Sequence, residues 1–218
     1  MHFRAIPPAQ GLYDPAHEHD ACGVGFVCNI KNRKSHQIVK QGLDILKRLT
    51  HRGAVGADPK AGDGAGILMQ IPDAFFRAVT EFDLPAAGDY GVGQVFLPQD
   101  KELAAEMQAV VERYLGEGGL PVLGWREVPV DNSGLGESVL PTEPYISQIF
   151  VARPDACADQ DSFERKLFVV RKRMGNAIHE AGVGKEGFYV CSMSSLTINY
   201  KGMLLAAQVG EFYQDLLD

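Results

Sequence analysis

The chain has 218 residues, 45% of them hydrophobic and 22% charged, which is the make-up of one large globular domain or part of one. A net charge of -7 gives no basic footprint for nucleic acid or for an anionic membrane surface, and no apolar run reaches the length that a transmembrane helix needs. Four cysteines, Cys22, Cys28, Cys157 and Cys191, form no CxxC pair, so neither a zinc ribbon nor a disulfide framework is indicated and reduced thiols in a cytoplasmic protein are expected.

Residues 1–21 read as irregular, with adjacent Pro7 and Pro8. They lack the apolar core of a signal peptide, and Asp14, Glu18 and Asp20 argue against an organellar address. From Cys22 the character changes: CGVGFVCNI alternates small and apolar residues and predicts a buried strand. Ser35 can cap a following helix whose apolar face is Ile38, Val39, Leu43, Ile45, Leu46 and Leu49, ending near Gly53. A glycine-rich loop runs to Gly66 and contains GDGAG. ILMQIP predicts a strand, DAFFRAV a short helix, YGVGQVFLP a strand and KELAAEMQAVVERYL an amphipathic helix. LGWREVPV and PYISQIFVAR predict two more strands, joined through Asn132, Ser133 and Gly134. DSFERKLFVVRKRMGNAIHEAG predicts a long helix starting at Asp161 or Ser162 and stopping at Gly182. FYVCSMSS and LTINY read as strands paired with each other, and GMLLAAQVGEFYQDLLD as a closing helix. Helices and strands in this mixed order favour a layered α+β or α/β sandwich.

A cysteine nucleophile needs a base or a lowered thiol pKa. When the cysteine is the first residue of the mature chain, its own α-amino group can take the proton, because the two reference pKa values lie close together. Cys22 qualifies only if it is released from Ala21; otherwise it reads as one more buried strand cysteine. Gly23 beside it would let substrate approach the backbone closely. Arg52 reads either as a residue shaping the charge of the site or as a cation at a helix C-terminus. Asp63, between Gly62 and Gly64, reads as a turn residue or a site residue, the turn being favoured. GDGAG has no following GK[ST] and precedes a strand, so it is not a phosphate loop. His17, Glu18, His19 and Asp20 have the residue types of a metal cluster but no diagnostic spacing, and Cys28, Cys157 and Cys191 read as packing or surface residues.

DACGVGF, then LTHRGAVGADPKAGDGAGILMQIP, PTEPYISQIFVAR, FERKLFVVRK and FYVCSMSSLTINYKGMLLAAQVGEFYQDL together resemble the amino-terminal type 2 glutamine amidotransferase domain of the glutamate synthase large chain, over nearly the whole sequence. The resemblance implies an N-terminal-nucleophile (Ntn) hydrolase fold, a four-layer αββα sandwich of the α+β class. It implies a leader, residues 1–21, that is removed, and an amidotransferase domain over residues 22–218 whose carboxy-terminal part is missing. Cys22 becomes the nucleophile with its α-amino group as base, and Gly23, Arg52, Gly53 and Asp63 support the site. L-glutamine is hydrolysed to glutamate and ammonia through a thioester, and the full enzyme uses the ammonia to make glutamate from 2-oxoglutarate. The arginine motif, the Asn-Gly oxyanion hole and the aspartate that complete the family's site have no counterpart before Asp218, so the isolated chain is expected to turn over little or no glutamine. No cofactor and no metal are expected in this segment. FMN and an iron–sulfur cluster are expected in the full enzyme, with FAD on a small electron-donating partner subunit where one is present. The expected partners are the remainder of the synthase chain and that subunit, with no nucleic acid and no membrane. The alternatives are a catalytically silent Ntn-fold fragment or docking module, and another type 2 amidotransferase, which is disfavoured. The shorter amidotransferases of purine and amino-sugar synthesis have no place for residues 71–187.

Overall fold

The computed structural model describes residues 8–11, 14, 22–53, 55, 57–181 and 187–217. The histidine-rich stretch from His17 to Asp20 and the helix stop at Gly182 lie outside them.

Alternating and helical periods place most elements where the side chains demand. Helix α1 (His36–Arg48) follows Ser35 and passes through a 3-10 turn, Thr50–Arg52, to Gly53. Strand β1 (Ala65–Gln70) leads into helix α2 (Asp73–Val79), then strand β2 (Tyr90–Leu97) and helix α3 (Lys101–Glu117). Strands β3 (Val122–Glu127) and β4 (Tyr145–Ala152) precede helix α4 (Gln160–Ala181). Strands β5 (Tyr189–Ser194) and β6 (Thr197–Gly202) are followed by helix α5 (Gln208–Phe212) and a 3-10 turn, Gln214–Leu216. Helix α4 starts a residue or two before the expected point, since Asp159 accepts from Ser162 N (2.7 Å) in the manner of a cap. The single closing helix expected from the sequence is two short pieces broken at Tyr213.

The molecule is α+β, with antiparallel sheets among the described residues. One has four strands in the order β3-β4-β2-β5; the other is the pair β1-β6. Side chains at alternate positions sort the core into two clusters. Val95, Leu97, Ile149 and Val151 face helices α3 and α4, meeting Met107, Val111 and Leu115 from the first and Phe163, Leu167 and Met174 from the second. Tyr90, Val92, Ile146 and Phe150 point the other way, onto Ile198 and Tyr200 of β6 with Leu43 of α1, Phe76 of α2 and Val209 of α5.

Two further sequence expectations fail. Strands β5 and β6 follow each other directly but do not pair: β5 bonds to β2 and β6 to β1, so the chain changes sheet at Ser195 and Leu196. Glu164 of α4 holds that corner, accepting from Ser194 Oγ (2.9 Å), Ser195 N (2.6 Å) and Ser195 Oγ (2.5 Å). Residues 22–30 form no strand either. A strand needs a ladder partner, and the neighbour of this segment is a helix. A Cβ on Gly25 would stand 2.5 Å from Ile45 of α1, while Val24, Phe26 and Ile30 are 89%, 85% and 99% exposed.

Candidate active site

Cys22 lies within the described residues, exposed and with a free thiol. The residue after it rests on the C-terminal corner of α1. A Cβ on Gly23 would stand 3.1 Å from Arg52 Cγ and 3.2 Å from Leu49 Cδ2, so glycine is what allows the chain to lie this close to the corner. The corner is shaped locally by Arg52 N donating to Leu49 O (2.8 Å) and Gly53 N to Thr50 O (3.2 Å). A Cβ on Gly53 would in turn stand 3.5 Å from Asp63 Oδ1. Four residues named from the sequence, Gly23, Arg52, Gly53 and Asp63, thus meet in one neighbourhood next to Cys22, although the glycine loop separates the last two in sequence. Cys28 is exposed farther along the same segment, whereas Cys157 and Cys191 are buried.

From Gly23 a cavity of about 1130 Å³ extends between residues 23–29, the inner face of α1 and β1. Ile38, Ile45 and Leu49 line it from α1, and Ile67 and Met69 from β1. Asp73, Phe75 and Asp215 line it as well. The expected apolar face of α1 is therefore divided: Leu43 is in the core, and much of the rest looks into this space.

Sequence reasoning missed a buried polar row behind the cavity. Ser192, Gln94, Gln148 and Arg126 are register partners across all four strands of the larger sheet. Gln148 Nε2 donates to Gln94 Oε1 (2.9 Å) and to Tyr200 OH (3.0 Å), and Tyr200 OH donates to Asp215 Oδ2 (2.9 Å). Arg126 grips the same carboxylate with both terminal nitrogens, at 2.6 and 2.8 Å, bonds Gln148 Oε1 at 3.0 Å and stacks over Phe75. Burial, reinforced by the Asp215 charge, drives the Tyr200 hydroxyl well above its ordinary pKa, so it stays a donor. The signal was present in the sequence: a glutamine in the middle of a largely apolar strand, in YGVGQVFL and in YISQIFVA.

Among the described residues no three His, Cys, Asp or Glu side chains converge as a metal site requires, and no helix is long and apolar enough to cross a membrane.

Comparison with known proteins gives these features a setting. The profile of the class-II glutamine amidotransferases matches residues 22–218, starting at Cys22. The glutamate synthase [NADPH] large chain of Bacillus subtilis is 44% identical over 219 residues, covering 100% of this chain and 14% of that protein. The glutamate synthase [NADH] of Schizosaccharomyces pombe is 43% identical over 223 residues, covering 97% of this chain and 10% of that protein. The ferredoxin-dependent glutamate synthase 1, chloroplastic/mitochondrial, of Arabidopsis thaliana is 42% identical over 215 residues, covering 96% and 13%. The chain thus spans a seventh or less of the length of these relatives.

Proposed function

Because the chain belongs to the class-II glutamine amidotransferases and matches the amino-terminal part of glutamate synthase large chains, we propose that it is the glutaminase part of a glutamate synthase, with Cys22 as nucleophile. The observation that carries this reading is that the family match begins at Cys22, an exposed cysteine whose neighbour Gly23 lines the cavity and rests on the Arg52 corner.

Removal of residues 1–21 frees the α-amino group of Cys22. That amine takes the thiol proton, and the sulfur attacks the side-chain amide carbon of L-glutamine. The carbonyl electron pair moves onto oxygen and returns, the C–N bond breaks, and ammonia leaves with the proton that the amine held. Water then attacks the thioester carbon, the C–S bond breaks, and glutamate and the thiol are released. Gly23 leaves room for substrate at the backbone, and Arg52, Gly53 and Asp63 shape the wall next to the sulfur. The ammonia serves glutamate synthesis from 2-oxoglutarate elsewhere in the synthase. FMN and an iron–sulfur cluster belong there on this reading, and FAD to a small electron-donating subunit; no residue of this chain is assigned to hold any of them.

The fold proposed with this function is the four-layer Ntn sandwich. Its support is the sequence of contacts: α3 and α4 on the larger sheet, that sheet on β6, and α1 on β1. The remainder of the synthase chain is the proposed partner, and the exposure of Val24, Phe26 and Ile30 supports a covering layer there.

Glutamine hydrolysis tests the reading. With this chain continuous with the remainder of a synthase, Cys22→Ala should abolish ammonia release from glutamine and leave synthesis from added ammonia intact. The mature chain should also begin at Cys22 by intact mass. Full glutaminase activity in Cys22→Ala would overturn the assignment.

A further inference from the structure

The loop between Gly53 and Ala65 has too many glycines to hold its own shape, since each glycine enlarges the set of conformations open to the unfolded loop. It is nevertheless tied down at three places far from it in sequence. Val55 and Gly62 form an antiparallel bridge that folds the loop back on itself. At its tip, Asp58 Oδ2 accepts from Ser138 Oγ (2.6 Å) and Ser138 N (3.2 Å), while Asp58 Oδ1 accepts from Lys60 N (2.9 Å). Gln208, buried at the start of α5, donates from Nε2 to Lys60 O (3.0 Å) and to Gly134 O (3.0 Å), and its Oε1 accepts from Leu205 N (2.7 Å). Backbone meets backbone on the return limb: a Cβ on Gly62 would stand 2.3 Å from the carbonyl of Leu204.

We infer that Asp58, Ser138 and Gln208 are positioning residues for the glutamine site, a clamp that fixes the glycine loop and, through Gly53 and Asp63, the Arg52 corner on which Gly23 and Cys22 rest. The inference depends on the reading of Cys22 as the nucleophile. The chemistry fits the task. Gln208 uses its acceptor inside its own turn and both N–H groups across two other segments, so one side chain joins three stretches of chain that share no ladder. Asp58 adds a second tie on the exposed side. The Ser138 hydroxyl, more than any other neighbour, holds the Asp58 carboxyl below its ordinary value, so it remains an acceptor at neutral pH.

The experiment follows alkylation of individual cysteines by iodoacetamide in this chain, resolved by peptide mass spectrometry, together with hydrogen exchange over residues 57–64. Cys28, exposed on the same segment, is the internal reference. Asp58→Ala and Ser138→Ala should raise exchange in the loop at least tenfold and change the Cys22-to-Cys28 rate ratio at least threefold. Ser138→Thr, which keeps the hydroxyl, should restore both. Gln208→Glu keeps the acceptor for Leu205 N but loses both donations, and should behave like the alanine variants. The half-buried Asp58 and exposed Ser138 variants decide the matter if the buried Gln208 variant does not fold. Loosened exchange with an unchanged cysteine ratio would overturn the positioning role, and unchanged exchange would overturn the clamp itself. Failure of the glutaminase reading shows separately, as retained glutamine turnover in Cys22→Ala.

Discussion

Asp215 and Arg126 illustrate how much rests on single buried charges. Their side chains are 2% and 11% exposed, and the pair also satisfies Gln148 and Tyr200. Removing one partner leaves the other charge buried and unpaired, which typically costs about 3–5 kcal/mol, whereas replacing both by apolar residues is often neutral. Asp215→Asn should therefore destabilise the chain by about that much, and an Arg126→Met, Asp215→Leu double variant by clearly less; denaturant titration of the three proteins checks it. Cys191 gives a pH signature. Burial pushes its thiol up to about 11, against smaller opposing effects of Lys201 and Arg171. A folded pKa above the unfolded one means that the protonated thiol contributes stability fully below the ordinary value of 9.0, and that this is lost as pH rises toward about 11. Stability measured between these limits should fall more steeply than in Cys191→Ala. At pH 8 iodoacetamide should label Cys22 and Cys28 and spare Cys191. Little of this was legible in advance, because the partner of a buried side chain is decided by strands distant in sequence.

The elements were more legible than their pairings. KELAAEMQAVVERYL becomes α3 with Asp100 at its cap, accepting from Leu103 N at 2.9 Å, because the 3.6-residue period and the cap are both local. Ser35 occupies the same position before α1 yet makes no side-chain capping bond. Asp100→Ala should thus cost about 1 kcal/mol and Ser35→Ala distinctly less, a contrast that thermal melts of the two variants would reveal. The strand character of CGVGFVCNI is equally plain in the sequence, but a strand exists only where a neighbour offers its edge. Next to Ile45 and Leu49 the segment can lie extended and still form no ladder. FYVCSMSS and LTINY failed differently. Both are strands, and the short turn between them reads as a hairpin, yet Glu164 pins the corner so that the strands part to separate sheets. The candidate site divides along the same line: Cys22, Arg52 and the GDGAG loop stood out by residue type, while the proposed clamp residues Asp58, Ser138 and Gln208 carry no local mark.

Across the whole molecule, the apolar residues at 24 and 26 line a cavity of about 1130 Å³, and with the exposed Ile30 they present the kind of surface that marks an interaction site or an aggregation liability. The chain by itself should self-associate at micromolar concentration. Val24→Ser with Phe26→Ser should shift it toward monomer, as should joining it to the remainder of a synthase. Light scattering across a dilution series measures both, and a concentration-independent monomeric mass for the unaltered chain would refute the expectation.

The row formed by Ser192, Gln94, Gln148 and Arg126 has a consequence for how the chain finds its fold. Successive strand residues face opposite sides, so a slip of one residue sends every side chain to the wrong face. A slipped β2 or β4 would thrust a glutamine amide among Leu115, Leu167 and Met174 of the helices, where it would have nothing to bond. Apolar side chains alone would tolerate such an error, since both faces of these strands are greasy. The polar row acts as a parity check: the correct alignment joins Gln94, Gln148, Tyr200, Asp215 and Arg126 in hydrogen bonds and leaves only Gln94 Nε2 without a partner, whereas a slipped sheet loses the whole set.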